Sequence, residues 1–413
     1  MKVIIAEKPS VAQQIAAVVG ATARKGGYIE GGGYAVTWAF GHLVGPAMPE
    51  AYGIEGFKRE NLPILPETFV LEPRRVKSGK EYKPDPGAVK QLAVLKELFS
   101  RAERIVVATD AGREGELIFR FIYHYLDCKT PFDRLWISSL TERAIREGLA
   151  NIRPGSEYDD LYLSARARCE ADWIVGINAS QALAIAAGRG AWSLGRVQTP
   201  TLALVCGRYL ENTSFTPQTY FRLKLHTAKD ATAFAALSTP KYDTKAAADE
   251  ACTAVRGSDG VQVIKVERRN ATEQPPLLYD LTTLQKEANT KHGFTAEQTL
   301  ELVQKLYEAK LVTYPRTSSR YIPEDVFDEV PMLFDRLATH SSFAEKIGAL
   351  DGLNRRSVDA SKVTDHHALL VTPNRPLALY KDEQTIYDMI VGRMVEAFSP
   401  ECVKDTTTVR AEC

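Results

Sequence analysis

The feature that most constrains the fold is a strand, turn and helix pattern that occurs twice near the start of the chain. Residues 3–6 form a short apolar run, after which apolar residues recur at helical spacing. The same order returns at residues 105–108, and residues 34–40 and 135–137 are predicted as further strands. Alternation of this kind favours a parallel α/β sheet with helices on both faces, which we assign to residues 1–150.

Carboxylates follow the two main strands: Glu7 comes after the first, and Asp110 and Glu114 come after the second. Open α/β sheets place their sites at the carboxyl ends of strands, and carboxylate oxygens are ligands that Mg²⁺ prefers. The pattern therefore indicates a Mg²⁺ site, although acidic residues are also common in surface turns. Lys8 could hold a phosphate or donate a proton beside such a site, and is otherwise an exposed lysine. The sequence contains no P-loop motif and gives no indication of ATP use.

Beyond this region the pattern changes several times. Residues 158–210 are predicted to be helical, residues 216–269 carry alternating runs typical of β-strands, and helices return over residues 281–398. Residues 404–412 alternate again as a strand would, so we expect that the chain is truncated and that the protein continues beyond Cys413. A chain of 413 residues is long enough for about two to four domains, and we predict a multidomain α/β plus α protein.

Composition argues against several classes of protein. Hydrophobic residues make up 45% and charged residues 25%, which is ordinary for a soluble globular protein. The sequence has neither an apolar run of about 18 residues nor a signal-peptide pattern, so we expect a cytoplasmic protein without a membrane partner. The 6 cysteines include no Cys-x-x-Cys pair, which argues against a zinc ribbon and a disulfide framework.

Charge gives only local support for nucleic-acid binding. Lys plus Arg and Asp plus Glu each number 52, so any such argument depends on clusters of basic residues. Charge runs are commonly solvated surface and support a phosphate site only beside other chemistry. The clusters are Arg74, Arg75, Lys77, Lys80 and Lys83; Arg166 and Arg168; Arg189 and Arg196; and Arg316 and Arg320.

A tyrosine with a nearby arginine follows a helix predicted over residues 296–309, for which Thr295 and Gln298 form a capping box. A tyrosine hydroxyl acts as a nucleophile only if nearby groups balance the charge that develops as it attacks. Arg316, two residues after Tyr314, offers that balance. By itself a Tyr-Pro-Arg sequence more often marks a surface turn, because short motifs match by chance.

Several blocks of sequence are more specific together than any one of them alone. They are Glu-Lys-Pro-Ser at 7–10, Thr-Trp-Ala-Phe-Gly-His-Leu at 37–43, Asp-Ala-Gly-Arg-Glu-Gly-Glu at 110–116, Asp-Trp-Ile-Val-Gly-Ile-Asn at 172–178, Ser-Leu-Gly-Arg-Val-Gln-Thr-Pro at 193–200 and Tyr-Pro-Arg-Thr at 314–317. In this order the blocks resemble the type IA DNA topoisomerases, and they span nearly the whole chain. The resemblance implies an incomplete type IA toroid. Its regions would be a Toprim domain at 1–150, the first half of a helical DNA-binding domain at 151–213, the first part of a β-rich arch at 214–275, a helical domain with the catalytic tyrosine at 276–398, and the start of the return into the arch at 399–413.

The resemblance also implies roles for individual residues. Tyr314 would attack a backbone phosphate of single-stranded DNA and form a 5′-phosphotyrosyl bond, while Arg316 neutralises the transition state. Lys8 would protonate the leaving 3′ oxygen, Glu7 would take part in proton transfer and metal binding, and His366 would orient a phosphate. These residues come from different domains, so we expect Tyr314 at an interdomain interface that faces the carboxylates. The matched positions that line the strand-binding groove are Arg168, Asp172, Arg196, Gln198, Ser318 and Arg320.

The chain departs from the family at one metal position, because Toprim domains commonly carry Asp-x-Asp-x-Glu and the middle residue here is Gly112. The expected cofactor is therefore a single Mg²⁺ held by Glu7 and Asp110, with Glu114 near. The implied activity is ATP-independent cleavage and religation of single-stranded DNA, which relaxes or decatenates DNA.

Two alternatives stay open: a truncated fragment that binds and cleaves single strands without relaxing DNA, and a non-catalytic single-strand-binding protein. The implied partners are single-stranded segments of supercoiled or catenated duplex DNA and a helicase, and the implied location is the nucleoid-associated cytoplasm. Contacts to backbone phosphates predict weak sequence preference and strong salt dependence.

Overall fold

The computed structural model describes residues 1–79, 81–188, 190, 192–258, 260–339 and 342–413. Lys80 and Arg189, which belong to the basic clusters, lie outside the described residues. The chain divides into two units, of which the first comprises Met1–Arg196 and Gln274–Pro400 and the second Val197–Glu273 and Glu401–Cys413. Within the described ranges, no helix is both long enough and apolar enough to cross a lipid bilayer.

The N-terminal part of the first unit, residues 1–187, which we call the α/β part, is built on a seven-stranded sheet. The strands in this part are β1 Lys2–Ala6, β2 Ala23–Arg24, β3 Tyr28–Gly31, β4 Tyr34–Trp38, β5 Val44–Pro46, β6 Leu71–Pro73, β7 Arg75–Ser78, β8 Glu81–Pro84, β9 Arg104–Ala108, β10 Phe132–Arg134 and β11 Arg153–Pro154. The sheet order is β11-β10-β9-β1-β4-β3-β2, and the four central strands β10, β9, β1 and β4 are parallel. Strands β5 and β6, and strands β7 and β8, form separate antiparallel pairs.

Helices cover both faces of this sheet. They are α1 Pro9–Val19, α2 Pro86–Arg101, α3 Arg113–Tyr125, α4 Glu142–Ala150 and α5 Asp159–Ala187, with short 3-10 helices at Pro49–Tyr52, Arg59–Asn61 and Gly155–Tyr158. Val3 and Ile5 of β1 belong to a core shared with α2 and α3, whereas Ile4 and Ala6 belong to a core shared with α1 and α4. Successive strand residues point to opposite faces, so an unbroken apolar strand requires a helical layer on each. The predicted α/β sheet with two helical layers is confirmed.

The structure changes two details of the predicted sheet. The parallel centre is extended by antiparallel strands β2, β3 and β11. Strands β2, β3 and β4 are joined by turns of two or three residues, which permit only antiparallel pairing. The strand predicted at 135–137 is wrong by three residues and lies at Phe132–Arg134. The strand contains the charged residues Asp133 and Arg134, so a search for apolar runs does not detect it. Arg134 is nevertheless buried, because backbone carbonyl groups in the fold accept hydrogen bonds from its guanidinium.

The second unit combines two helices with two antiparallel pairs of strands. Its elements are α6 Gln198–Thr213, α7 Lys245–Arg256, β12 Lys224–Lys229, β13 Thr232–Leu237, β14 Gln262–Glu273 and β15 Cys402–Glu412. β12 pairs with β13, and β14 pairs with β15 along nearly its whole length. The strand predicted at 404–412 is therefore confirmed. Helix α7, with Thr244 as its N-cap, interrupts the region predicted as strands.

The remainder of the first unit, residues 274–400, which we call the tyrosine part, is a set of helices around one core. The helices are α8 Leu281–His292, α9 Ala296–Glu308, α10 Glu324–Phe327, α11 Val330–Ala338, α12 Ala344–Gly348 and α13 Lys381–Phe398, with a 3-10 helix at Ala360–Lys362. Thr295 and Gln298 form the predicted capping box of α9. The same helix buries Val303 and Leu306 in the core against α8 and α13.

The stretch that contains Tyr314 is held by a second segment of the tyrosine part. Thr313 donates its N–H to the carbonyl oxygen of Leu370 at 2.9 Å. The hydroxyl of Thr317 donates to the carbonyl oxygen of His366, also at 2.9 Å. These bonds place two stretches that are distant in sequence side by side, so Tyr314 and His366 become neighbours.

A half-buried carboxylate joins α8 to α13. Glu287 accepts hydrogen bonds from Tyr279 Oη at 2.7 Å and from Lys291 Nζ at 3.0 Å, and it is paired with the buried guanidinium of Arg393. Burial alone would raise the pKa of Glu287, but these partners outweigh burial and lower the pKa to about 2.

We expect the wild-type chain to lose stability between about pH 5 and pH 2 more steeply than a Glu287→Gln variant. A carboxylate whose pKa is lowered by folding stabilises the folded state above its ordinary pKa, and protonation removes that contribution as the pH falls. After solvent screening is allowed for, the difference should reach about 1 to 2 kcal/mol. Urea unfolding at a series of pH values measures it, and identical pH dependence in the two proteins would contradict it.

Candidate active site

Two acidic residues meet at the carboxyl edge of the sheet. Ala6 of β1 lies opposite Ala108 of β9, so Glu7 and Asp110 leave the sheet at the same edge. The Asp110 N–H donates to Oε2 of Glu7 at 3.3 Å. Burial and then the charge of Asp110 raise the pKa of Glu7, which makes Glu7 the carboxylate of this pair that takes up a proton more readily.

Lys8 places its ammonium group between these carboxylates and the tyrosine. Its Nζ atom lies 2.7 Å from Asp110 Oδ2, 3.7 Å from Glu7 Oε1 and 3.8 Å from the centre of the Tyr314 ring. Burial alone would lower the pKa of Lys8, but the charges of Asp110 and Glu7 outweigh burial and raise the pKa. Lys8 is therefore a protonated group, largely shielded from water, that faces the tyrosine.

Tyr314 lies at the interface between the α/β part and the tyrosine part. The centre of its ring is 4.4 Å from that of His366 and 5.3 Å from that of Tyr307, which stands edge-on. The contact with Lys8 comes across the interface from the α/β part. The tyrosine thus faces the carboxylate edge of the sheet, as the distribution of the sequence blocks predicts.

His366 also crosses this interface. Its Nε2 atom lies 3.0 Å from Asp110 Oδ2, the same carboxylate oxygen that accepts the Lys8 hydrogen bond. Burial opposes ionisation of Asp110, but His366 and Lys8 hold the pKa of that carboxyl well below its usual range. Asp110 therefore stays ionised and orients two groups that contact the tyrosine ring.

A buried arginine that the sequence analysis missed fixes the turn before this site. Arg134 donates to the carbonyl oxygens of Thr109 at 2.8 Å and Asp110 at 2.6 Å. Its Nε atom lies 3.1 Å from Glu116 Oε2, and both side chains are only 1% exposed. Glu116 also accepts a hydrogen bond from Arg120 at 2.8 Å. In the sequence, Arg134 is only a charged residue beside an apolar run, and a search for apolar residues does not include it.

The third predicted metal ligand, Glu114, faces other side chains. Its carboxylate lies 3.5 Å from His42 Nε2 and 3.7 Å from Arg168 Nη1, and the hydrogen bond with His42 is the main cause of its lowered pKa. Arg168 lies 3.9 Å from Asp172, one turn along α5, and Asp172 pairs with Arg196 at 2.6 Å. Three of the predicted groove residues thus form an exposed row of charges that begins at Glu114.

The remaining predicted residues have different surroundings. Arg316 is exposed and makes no hydrogen bond or ion pair with any residue that the structure describes. Ser318 is also exposed. Arg320 donates to the carbonyl oxygen of Leu278 at 3.1 Å, so its guanidinium supports the tyrosine part itself. Gln198 is the first residue of α6, in the second unit.

A second contact between the two parts of the first unit was not predicted. The hydroxyl groups of Ser139 and Thr141 donate to the same carboxylate oxygen of Asp325, at 2.7 and 2.8 Å. Thr141 is also the N-cap of α4. The interface that presents Tyr314 to the sheet is therefore held by polar contacts away from the tyrosine.

The pair Glu7 and Asp110 has suitable donor atoms for Mg²⁺. Within the described part of the chain, no three His, Cys, Asp or Glu side chains converge as a ready-made metal cluster. Mg²⁺ is commonly held by one or two carboxylates together with waters and substrate phosphates, so two carboxylates are sufficient. They already hold one cation, the ammonium of Lys8, between them. The residues present fit a Mg²⁺ ion, with Glu114 outside the pair.

Comparison with protein families accounts for nearly the whole chain. A family model described as Toprim domain matches residues 2–140, and a family model described as DNA topoisomerase matches residues 156–413. An α/β sheet with acidic strand ends that faces a tyrosine on a helical part defines the class of type IA DNA topoisomerases. The chain belongs to this family. The expected family and fold class are thereby confirmed, and Toprim domains are metal-binding domains.

Individual relatives agree with this assignment. DNA topoisomerase 3 of Bacillus subtilis (strain 168) and that of Bacillus thuringiensis (strain Al Hakam) are each 40% identical to the chain over 427 residues, which cover 99% of this chain and 56% of the relative. Full-length topoisomerase I from Thermotoga maritima matches with a TM-score of 0.64 and 23% identity over 98% of this chain and 62% of that chain, which supports the fold. The chain therefore spans about half the length of the curated relatives it matches.

Proposed function

We propose that this chain acts as an ATP-independent, Mg²⁺-dependent DNA topoisomerase that cleaves and reseals single-stranded DNA through a covalent bond to Tyr314. The observation that carries the proposal is the 3.8 Å contact between the Lys8 ammonium and the Tyr314 ring, beside the Glu7 and Asp110 carboxylates. A nucleophile, a proton donor and two carboxylates are thus gathered from two parts of the chain. Family membership supports the same chemistry.

The proposed reaction conserves the phosphoester bond. Tyr314 Oη attacks a backbone phosphorus atom, its hydroxyl proton passes to water, and the bond from phosphorus to the 3′ oxygen breaks. Lys8 gives a proton to the leaving 3′ oxygen, which its charged state and position favour. On resealing, Glu7 accepts the proton from the 3′-hydroxyl group, a role suited to a carboxylate of raised pKa, and passes it to the neighbouring Lys8, while the Tyr314 oxygen leaves phosphorus and takes up a proton from water. No ATP is required, because the phosphotyrosyl bond retains the energy of the broken one.

Other residues would position the DNA. When held by Glu7 and Asp110, Mg²⁺ would supply positive charge to the DNA phosphates. Arg316, which is exposed, would neutralise the transition state, a contribution of about 3 kcal/mol for one preorganised charge. His366 would orient a phosphate oxygen while Asp110 fixes its ring.

The remaining assignments belong to the same proposal. The substrate would be single-stranded segments of supercoiled or catenated duplex DNA, with relaxation or decatenation as the outcome and a helicase as the source of such segments. The location would be the nucleoid-associated cytoplasm. The domain ranges 1–150, 151–213, 214–275, 276–398 and 399–413 are retained, as are the groove residues Gln198, Ser318 and Arg320.

The direction of covalent labelling tests this proposal. A single-stranded oligonucleotide with a label near its 3′ end should transfer that label to the protein in the presence of Mg²⁺, because Tyr314 joins the 5′ phosphate of the downstream piece. The same oligonucleotide labelled at its 5′ end should release a shorter free strand. If neither substrate gave a protein-bound label, the proposal that this chain is a DNA-cleaving enzyme would be rejected. An adduct without any change in supercoiled plasmid would instead identify a cleavage-competent fragment.

The exposed row of charges predicts a specific salt effect on binding. In a Tyr314→Phe background, Arg168→Ala should reduce the slope of log affinity for single-stranded DNA against log salt concentration by about 0.7, the value for one phosphate contact. Arg146→Ala, which removes an exposed arginine paired with Glu142, is the matched control and should leave the slope unchanged. Fluorescence anisotropy across salt concentrations gives both slopes. Equal slopes for the two variants would show that Arg168 does not contact a DNA phosphate in the groove.

A further inference from the structure

Asp365 occupies the space beside Gly112, the position at which Toprim domains commonly carry a carboxylate. A Cβ atom added to Gly112 would lie within 2.6 Å of Cγ and both carboxylate oxygens of Asp365. Atoms at such distances overlap, so a side chain at residue 112 and the Asp365 carboxylate exclude each other. A carboxylate is therefore present at this place, but the tyrosine part supplies it.

The surroundings of Asp365 are those of the acidic edge. The next residue, His366, contacts Asp110 Oδ2 at 3.0 Å, so this segment is anchored at the site. The other charged groups that act on Asp365 are Arg113 and Glu114 of the adjoining turn and helix. Asp365 thus lies close enough to Asp110 and Glu114, the acidic residues that begin and end the Asp-x-Gly-x-Glu sequence, for their charges to act on it.

No counter-ion contacts the Asp365 carboxylate within the described ranges. Among the residues that the structure describes, it makes no hydrogen bond or salt bridge, whereas Asp110 is paired with Lys8 and Glu114 with His42. A carboxylate left unpaired beside two others favours a bound cation, because the cation offsets their mutual repulsion. Its oxygen atoms are the kind that Mg²⁺ prefers.

We propose that Asp365 supplies to the Mg²⁺ site the carboxylate that Gly112 lacks. The inference rests on the proposed function, since it concerns the same metal. A ligand from the tyrosine part makes the site complete only while that part contacts the α/β part. Metal binding and closure of this interface then stabilise each other, because each favours the same arrangement.

A swap of the carboxylate between the two positions tests the inference. Mn²⁺ is titrated into the protein without DNA, and the free ion is measured by its electron paramagnetic resonance signal. Asp365→Ala should weaken Mn²⁺ binding about tenfold or more, whereas Asp351→Ala, an exposed acid of the same part, should not change it. The double variant Gly112→Asp/Asp365→Ala should recover most of the lost affinity. Gly112 has extended backbone, with φ of −164°, so aspartate can adopt its conformation.

The outcomes separate this inference from the proposed function. Wild-type affinity in Asp365→Ala, no recovery in the double variant, or no Mn²⁺ binding by the wild-type chain would each overturn the role of Asp365. Circular dichroism is used as a control to check that each variant is folded. The oligonucleotide adduct is measured on the same wild-type sample with Mg²⁺. If the chain binds Mn²⁺ and responds to the swap but forms no adduct, the proposed topoisomerase activity is rejected and the role of Asp365 as a metal ligand is retained.

Discussion

Replacing Tyr314 with phenylalanine is expected to abolish the covalent DNA adduct while leaving single-strand affinity within about twofold of the wild type. The substitution removes only the nucleophilic oxygen. The ring keeps its contacts with the Lys8 ammonium at 3.8 Å and with the His366 ring at 4.4 Å. The interface should therefore form as before. Transfer of a 3′ label to protein on a denaturing gel measures the adduct, and fluorescence anisotropy measures the affinity.

Tyr307→Phe is the matched control for this prediction. Tyr307 lies edge-on to Tyr314, and its hydroxyl oxygen is 3.4 Å from Ser10 Oγ, so it is a second tyrosine at the same interface. This variant should keep the adduct. Loss of the adduct in Tyr307→Phe but not in Tyr314→Phe would show that Tyr307, and not Tyr314, is the nucleophile.

The second large effect concerns stability. Arg134→Met should lower the free energy of unfolding by about 3 to 5 kcal/mol, the usual consequence of breaking a buried ion pair from one side. The change leaves Glu116 buried with Arg120 as its remaining partner, and it removes the hydrogen bonds to the carbonyl oxygens of Thr109 and Asp110. Urea unfolding monitored by circular dichroism measures the loss.

Two further variants show whether the buried charge is the cause. Arg146→Met removes an exposed arginine from α4 and should cost no more than about 0.5 kcal/mol. Arg134→Met combined with Glu116→Gln should cost less stability than the two single substitutions added together, because both remove the same buried ion pair. If the two losses were simply additive, loss of packing and not the ion pair would explain the effect.

Much of the α/β part could be predicted because its signals are local. Apolar runs and helical periodicity reflect which face of each element is buried, and both can be recognised over a few residues. The capping box at Thr295 and Gln298 and the strand near the C-terminus are equally local and are present as predicted. The strand at Phe132–Arg134 was misplaced because burial of Arg134 depends on partners elsewhere in the sheet.

The candidate site shows the same division. Acidic residues after strands and a tyrosine followed by an arginine could be picked out one by one, and the order of the blocks indicated that they belong together. Their pairing could not be predicted. The sequence placed Glu114 with Glu7 and Asp110, whereas the structure pairs it with His42 and Arg168. Nothing in the spacing of residues indicated that Asp365 would lie against Gly112.

The sequence by itself determined the succession of strands and helices, the family, and the residue types available for chemistry, since periodicity, capping and motif order are properties of the chain. Only the tertiary structure decided which of these side chains share charges and protons. Lys8 bridges Asp110 and Tyr314 because the tyrosine part packs against the edge of the sheet. The same packing brings His366 to the Asp110 carboxylate oxygen that Lys8 contacts. Such contacts join residues far apart in the chain, so they depend on how separate parts pack and not on any local pattern.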